Sequence, residues 1–273
     1  MPTPLPMDLH SHSEHSHDAI YPVADMCEAA IKQNIGIFAV TDHYDIIGFD
    51  LSFTDLDQAI DRSFADTLAA KELYRGRLQV LAGLELGQPL EKPGKAEEII
   101  RSHPFDYIAC ALHNAPGRLD AYYYRLGGDD ALLDNELEIY FTHLLDMVHW
   151  GRFDCAAHIT YPFRYILSRI GTSYPFERWD DHIEAVVKAL ADQGLALELN
   201  TAGIRREPAH TIPDARWIKR FRELGGEKLV LGSDAHSPQY VGAGIAEGVR
   251  IAADAGFGYL CCFENRKPRY IKI

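Results

Sequence analysis

The sequence has no apolar run long enough to cross a bilayer, and its opening Met-Pro-Thr-Pro-Leu-Pro lacks the charged start and apolar middle of a secretory signal. Thiols are few: Cys27, Cys110, Cys155, Cys261 and Cys262 make an odd set of 5 with no CxxC pair, so neither a disulfide framework nor a thiolate metal site is written here. Cys110 and Cys155 fall in predicted strands, where a free thiol acts as a small apolar residue. These absences point to a reducing, cytoplasmic setting. Cations are scarce too: 27 Lys and Arg against 40 Asp and Glu give a net charge of -13, which argues against extended nucleic-acid binding or contact with an anionic membrane. A small anionic ligand remains compatible if positive charge is concentrated in one place, and bound metals can supply it.

What the sequence has instead is histidine beside carboxylate. Met7 to Asp18 packs Asp8, His10, His12, Glu14, His15, His17 and Asp18 into one short stretch after an apolar lead-in. In an extended strand alternate side chains share a face, so His10 and His12 can converge on one ion. A histidine-rich tail or tag scar is the bland alternative. A tag has no reason to interleave carboxylates, and it does not explain the matching features downstream.

Downstream the chain alternates predicted helices and short apolar strands. Helices are expected near 22–33, 57–75, 95–102, 134–150, 178–193, 214–224 and 241–255. The intervening strands end, in order, at Thr41-Asp42-His43, Glu85, His113, His158, Asn200 and Asp234-Ala235-His236, and a last strand is expected at Tyr259–Phe263. Between Asn114 and Asp130 lies a longer insertion carrying Tyr122, Tyr123 and Tyr124, which reads as a loop over something. The alternation predicts a parallel α/β fold of about seven units, a distorted (β/α)7 TIM-like barrel formed by residues 1–273 as a single domain. Polar residues recurring at strand C-terminal ends are the pattern of a barrel active site.

The set expected to meet there is His10, His12, Asp18, His43, Glu85, His113, His158, Asp234 and His236. That is too many ligands for one ion of roughly four to six coordination, so two or three metals sharing carboxylates are expected. Without thiolates, and with open positions, such a cluster is catalytic in character rather than structural.

At this point the chain resembles a known family. Asp8-Leu-His-Ser-His, Thr41-Asp-His, Gly83-Leu-Glu, Leu112-His, Ala157-His and Gly232-Ser-Asp-Ala-His are similar to the ordered motifs of the PHP (polymerase and histidinol phosphatase) superfamily. Arg164-Tyr165 after His158, Asn200-Thr-Ala-Gly-Ile-Arg and the tail Phe263-Glu-Asn-Arg-Lys-Pro resemble most the histidinol-phosphate phosphatases within it. The resemblance implies a trinuclear centre of divalent ions, whether zinc, manganese or iron. One ion would take His10, His12, Glu85 and Asp234; a second would share Glu85 and add His113 and His158; a third would take Asp18, His43 and His236. His15 and His17 are near enough to compete with Asp18. The implied reaction is hydrolysis of L-histidinol phosphate to L-histidinol and phosphate.

The chemistry is consistent with that set. Metal binding lowers the pKa of water from about 15.7 to about 7, so a metal-bridging hydroxide can attack phosphorus near neutral pH. Arg164 and Arg205 are candidates for the phosphate oxygens through paired charge-assisted bonds, with Arg206 able to exchange with Arg205. Asp234 and His236 are both candidates to protonate the departing alcohol, with Arg164 supporting catalysis. Asp8 and Asp42 are expected to orient ligand histidines through their second nitrogen. Asn114 stands where the histidinol phosphatases more often carry an aromatic or apolar residue, which bears on substrate rather than metal. Two other readings stay open: a phosphoesterase of the same fold acting on another small ester or a nucleotide, and a non-catalytic metal-binding interaction module.

Overall fold

The computed structural model describes residues 6–48, 51–123 and 130–273. Along the chain run α1 (Val23–Lys32), β1 (Ile37–Val40), β2 (His43–Asp45), α2 (Asp57–Leu73), β3 (Gln79–Gly87), α3 (Pro93–Ser102) and β4 (Tyr107–Ala111). There follow α4 (Asp130–Trp150), β5 (Cys155–Ala156), α5 (Tyr161–Ile170), α6 (Asp180–Gln193), β6 (Ala196–Asn200), α7 (Ala215–Glu223), β7 (Leu229–Gly232), α8 (Ile245–Asp254), β8 (Tyr259–Glu264) and β9 (Lys267–Lys272). Parallel strands covered on both faces need apolar side chains at nearly every position, and β1, β4 and β7 are buried throughout. Against that background Glu85 in β3 and Glu198 in β6 stand out, since both are fully buried.

The parallel sheet runs β1-β3-β4-β5-β6-β7, with β2 also on β3. β1 pairs with the first half of β3 and β2 with the second, Ile37 opposite Gln79 and His43 opposite Glu85, so the two fill one place in the sheet. Between them the amide and hydroxyl of Thr41 both turn to Ser11 O, at 2.8 and 3.1 Å. The place between β1 and β7 is taken by the N-terminal segment. Asp8 N donates to Ile37 O at 2.9 Å on one side, while Leu9 N donates to Leu231 O at 2.8 Å and Asp234 N to His10 O at 2.9 Å on the other. The sheet is thereby drawn into a distorted (β/α)7 TIM-like barrel, with the histidines of the first segment at its C-terminal rim.

The structure departs from expectation in three elements: His43 opens a separate strand, β2, where one strand was expected to end; α5 and the last strand are the others. α5 was not expected, because Tyr161-Pro162 directly after a strand end reads as a turn; here Pro162 sits in the first helical turn, where its missing N–H costs nothing. The last strand exists but lies outside the barrel, as β8 pairs antiparallel with β9. Asn265 and Arg266, with φ of 51° and 62°, form its tight turn. That turn is pinned by Arg266 Nε to Asp154 at 2.5 Å and by Asn265 N donating to Asp106 Oδ1 at 3.1 Å, at the barrel end away from the histidines. All five cysteines are buried and unpaired, and no described helix is long and apolar enough to cross a membrane.

The seam at β7 closes because residue 232 has no side chain: a Cβ there would collide with His10 Cβ and Glu198 Oε1. Gly232→Ala should therefore lower the unfolding free energy by about 1–3 kcal/mol in urea titrations. An unchanged midpoint would show that the seam has room to spare.

Candidate metal centre

Glu85 is the residue on which the rim converges. Its Oε2 lies 2.8 Å from His43 Nδ1, 3.3 Å from His10 Nε2 and 3.5 Å from His12 Nε2. Its Oε1 lies 2.8 Å from His158 Nε2 and 3.3 Å from His113 Nε2. Asp234, at φ 53° just after β7, turns Oδ1 to His12 Nε2 at 3.6 Å and His236 Nδ1 at 3.5 Å. Asp18 closes the outer edge, 2.9 Å from His236 Nε2 and 3.7 Å from His43 Nε2. Every position in the expected ligand set thus reaches one rim. Of the two competitors for Asp18, His15 pairs instead with Asp66 at 2.8 Å, whereas His17 groups with Asp18 and His43.

The side chains behind these histidines fix which nitrogen faces inward. His10 Nδ1 donates to Glu198 Oε1 at 2.7 Å and His113 Nδ1 to Asp45 Oδ1 at 3.0 Å, because a carboxylate can only accept. Ser16 Oγ donates to Asp42 Oδ1 at 2.8 Å and so accepts from His12 Nδ1 at 3.1 Å. In each neutral ring the lone pair is left on Nε2, aimed at the centre. The expected roles of Asp8 and Asp42 change accordingly. Asp8 accepts from Ser233 N, Ser233 Oγ and Gly242 N, and Asp42 from Ser13, Ser16 and Ser63, so neither touches a histidine ring. Glu198 and Asp45 do that work, and both escaped the sequence reading. Glu198 had left a signal, a charged residue in the middle of an apolar strand.

These groups fit divalent ions better than they fit one another. His10 Nε2, His12 Nε2, His43 Nδ1 and Glu85 Oε2 are buried close together, yet none has a hydrogen-bond partner among the described residues. Several triads place a ligand atom from each member within 4.8 Å of the others, among them His10-His12-Asp234, His10-Glu85-His158 and His43-Glu85-His113. The electrostatics agree. Burial would raise the Glu85 and Asp234 carboxyls, but the surrounding histidines hold both well below the usual range. Burial, with His236 and His43 nearby, pulls His12 down to about 3. Burial works against a charged His43 as well, yet Glu85 and Asp45 outweigh it and lift the ring to about 9. His10 and His113 are raised in the same sense by Glu198 with Glu85, and by Asp45 with Glu85.

The centre opens into a cavity of about 330 Å³ lined also by Asp45, Gln88, Asn114, Asp120, Tyr161, Arg164 and Tyr165. Arg164 Nη1 lies 3.4 Å from Asp234 Oδ2, and Asn114 is held in the wall by Gln88 and Gly48. Arg205 is placed differently from expectation. It donates to Ser233 O and Asp234 O at 3.0 and 3.3 Å and stacks on Tyr240, so it braces the turn behind Asp234 rather than lining the cavity. Arg206 is exposed and lines nothing there. Tyr122 and Tyr123 are exposed and also absent from the lining, while Tyr124 lies outside the described residues.

His43, lifted to about 9 by Glu85 and Asp45, is protonated in the metal-free protein at neutral pH, and an ion must displace that proton. Calorimetric titration with Zn²⁺ near pH 7, in buffers of different ionisation enthalpy, should show net proton release and an affinity that rises with pH toward 9. Binding with no proton release would refute the arrangement.

The comparisons with known proteins agree with this geometry. The PHP domain profile matches residues 8–202. A probable histidinol-phosphatase of Thermotoga maritima is 28% identical over 267 residues, covering 98% of this chain and 99% of that protein. The histidinol-phosphatase of Lactococcus lactis is 25% identical over 270 residues, covering 96% and 95%. Among solved structures, the histidinol phosphate phosphatase of Lactococcus lactis, crystallised with zinc, L-histidinol and phosphate, superposes with a TM-score of 0.83 at 22% identity, over 97% of this chain and 99% of that one. With that fold, and with the profile running from Asp8 to Ala202 across every expected ligand except Asp234 and His236, the chain belongs to the PHP domain family.

Proposed function

We propose that the protein is a metal-dependent phosphomonoesterase that hydrolyses L-histidinol phosphate to L-histidinol and inorganic phosphate. The observation that carries this reading is the set of buried, mutually unsatisfied ligand atoms around Glu85, with Arg164 at its edge. The names of relatives aligned along nearly the whole chain support the substrate. Because the first and last ligands meet at the seam of one barrel, we read residues 1–273 as a single domain, and the free buried thiols fit a cytoplasmic setting.

His10, His12, Glu85 and Asp234 would hold one ion, Glu85 with His113 and His158 a second, and Asp18, His43 and His236 a third, each zinc, manganese or iron. Bound there, the ions supply Lewis acidity toward phosphate and an activated water near neutral pH. The protein's own residues do the rest. Arg164 offers a guanidinium fork to the phosphate oxygens from the rim beside Asp234. Asp234 or His236, which face each other at the rim, would relay the proton that the departing alcohol oxygen takes up. Asn114, Gln88 and Tyr161 line the same cavity and would face the alcohol part of the substrate. Three divalent ions together with Arg164, set against Asp18, Asp45, Glu85, Glu198 and Asp234, would leave two positive charges, which match a phosphate ester dianion.

Phosphate release from L-histidinol phosphate by protein reconstituted with Mn²⁺ or Zn²⁺, beside sugar phosphates and nucleotides, tests the reading. We expect marked preference for histidinol phosphate, abolition by chelation, and at least about a hundredfold loss in Asp234→Asn. Arg164→Ala should raise KM about 10- to 100-fold. Activity confined to another ester would keep the metal chemistry and discard the substrate; no release with any metal would leave a binding module.

A further inference from the structure

The substrate reading above leaves one charge unaccounted for. L-histidinol phosphate carries an ammonium group, and a cation taken into a cavity this small needs a counter-charge. The carboxylates lining the cavity are Asp18, Asp45, Glu85, Asp120 and Asp234. Four of them already face histidine rings: Asp18 faces His236, Asp45 faces His113, Glu85 faces His43, and Asp234 faces His12. Asp120 alone makes no ion pair among the described residues, His113 and Arg164 acting on it only from a distance. Its Oδ1 accepts from Tyr122 N at 2.6 Å, and both of its oxygens lie 3.3 Å from Tyr161 Oη, a ring that itself packs against His113 and His158. Burial pushes its carboxyl up and outweighs the opposing pull of His113.

We propose that Asp120 is the counter-charge for the substrate's ammonium group, and so selects phosphate esters of aminoalcohols over those of neutral alcohols. This rests on the histidinol phosphate reading and names the feature of the substrate that the site recognises. Asp120 also has a local duty, since its Oδ1 heads the short 3₁₀ turn at Ala121–Tyr123. Asparagine keeps an oxygen for that turn and removes only the charge.

The test compares kcat/KM for L-histidinol phosphate with that for the same imidazolyl alcohol phosphate lacking the amine, using metal-loaded wild type and Asp120→Asn. Wild type should favour the amine about 10- to 100-fold, the worth of a charge-assisted bond, and Asp120→Asn should bring the ratio close to unity through KM. Calorimetry of L-histidinol binding, which needs no turnover, should show the same weakening. A ratio unchanged in Asp120→Asn would overturn the proposal while leaving the substrate intact. Wild type that hydrolyses neither compound would overturn the substrate reading, and this proposal with it.

Discussion

One buried carboxylate organises this protein. Glu85 is fully buried in β3, and nitrogens of five rings from four segments of the chain come within 3.5 Å of its two oxygens. An isolated anion in that position would be expelled or protonated, since burial alone costs several kcal/mol. It is tolerated because each neighbouring strand delivers a group of opposite or complementary character to the same depth. The barrel supplies this depth: parallel strands in register end at one level, and residues just beyond their ends face one another across the mouth.

A second consequence concerns the wall behind the centre. Glu198, Asp45 and the Ser16-Asp42 pair each hold the outer nitrogen of a histidine, so Nε2 of each ring is turned inward before any ion arrives. Glu198 does more, because its other oxygen accepts from His158 N at 2.8 Å, where the backbone adopts φ 28°. One carboxylate thus sets the tautomer of a ring on the first segment and the backbone of a residue after β5. The absence of a side chain at Gly232 leaves the space in which that contact is made. The segment between β4 and α4 forms a different layer of the site, from which Asn114 and Asp120 reach the cavity.

The comparison of sequence with structure divides along the same line. The alternation of apolar strands and amphipathic helices, and the polar residue closing each strand, were legible because each is a local pattern of side-chain type. α5 was missed because Pro162 reads locally as a break. The β8–β9 hairpin was read as a single strand because β9 is exposed and lacks an apolar face. Arg205 was expected toward phosphate because its neighbours resemble a motif; the fold spends its guanidinium on two backbone carbonyls instead.

By itself the sequence determined that histidines and carboxylates close successive strands, and hence that a cluster of divalent-ion ligands would assemble at one rim. It could do so because strand period and helix crossover are set within a few residues. Only the tertiary structure decided which groups stand behind the ligands, which arginine faces the cavity, and which lining acid is left without an ion pair. Those are matters of distance between segments far apart in the chain: Glu198 meets His10 across 188 residues, and no local pattern encodes such a meeting.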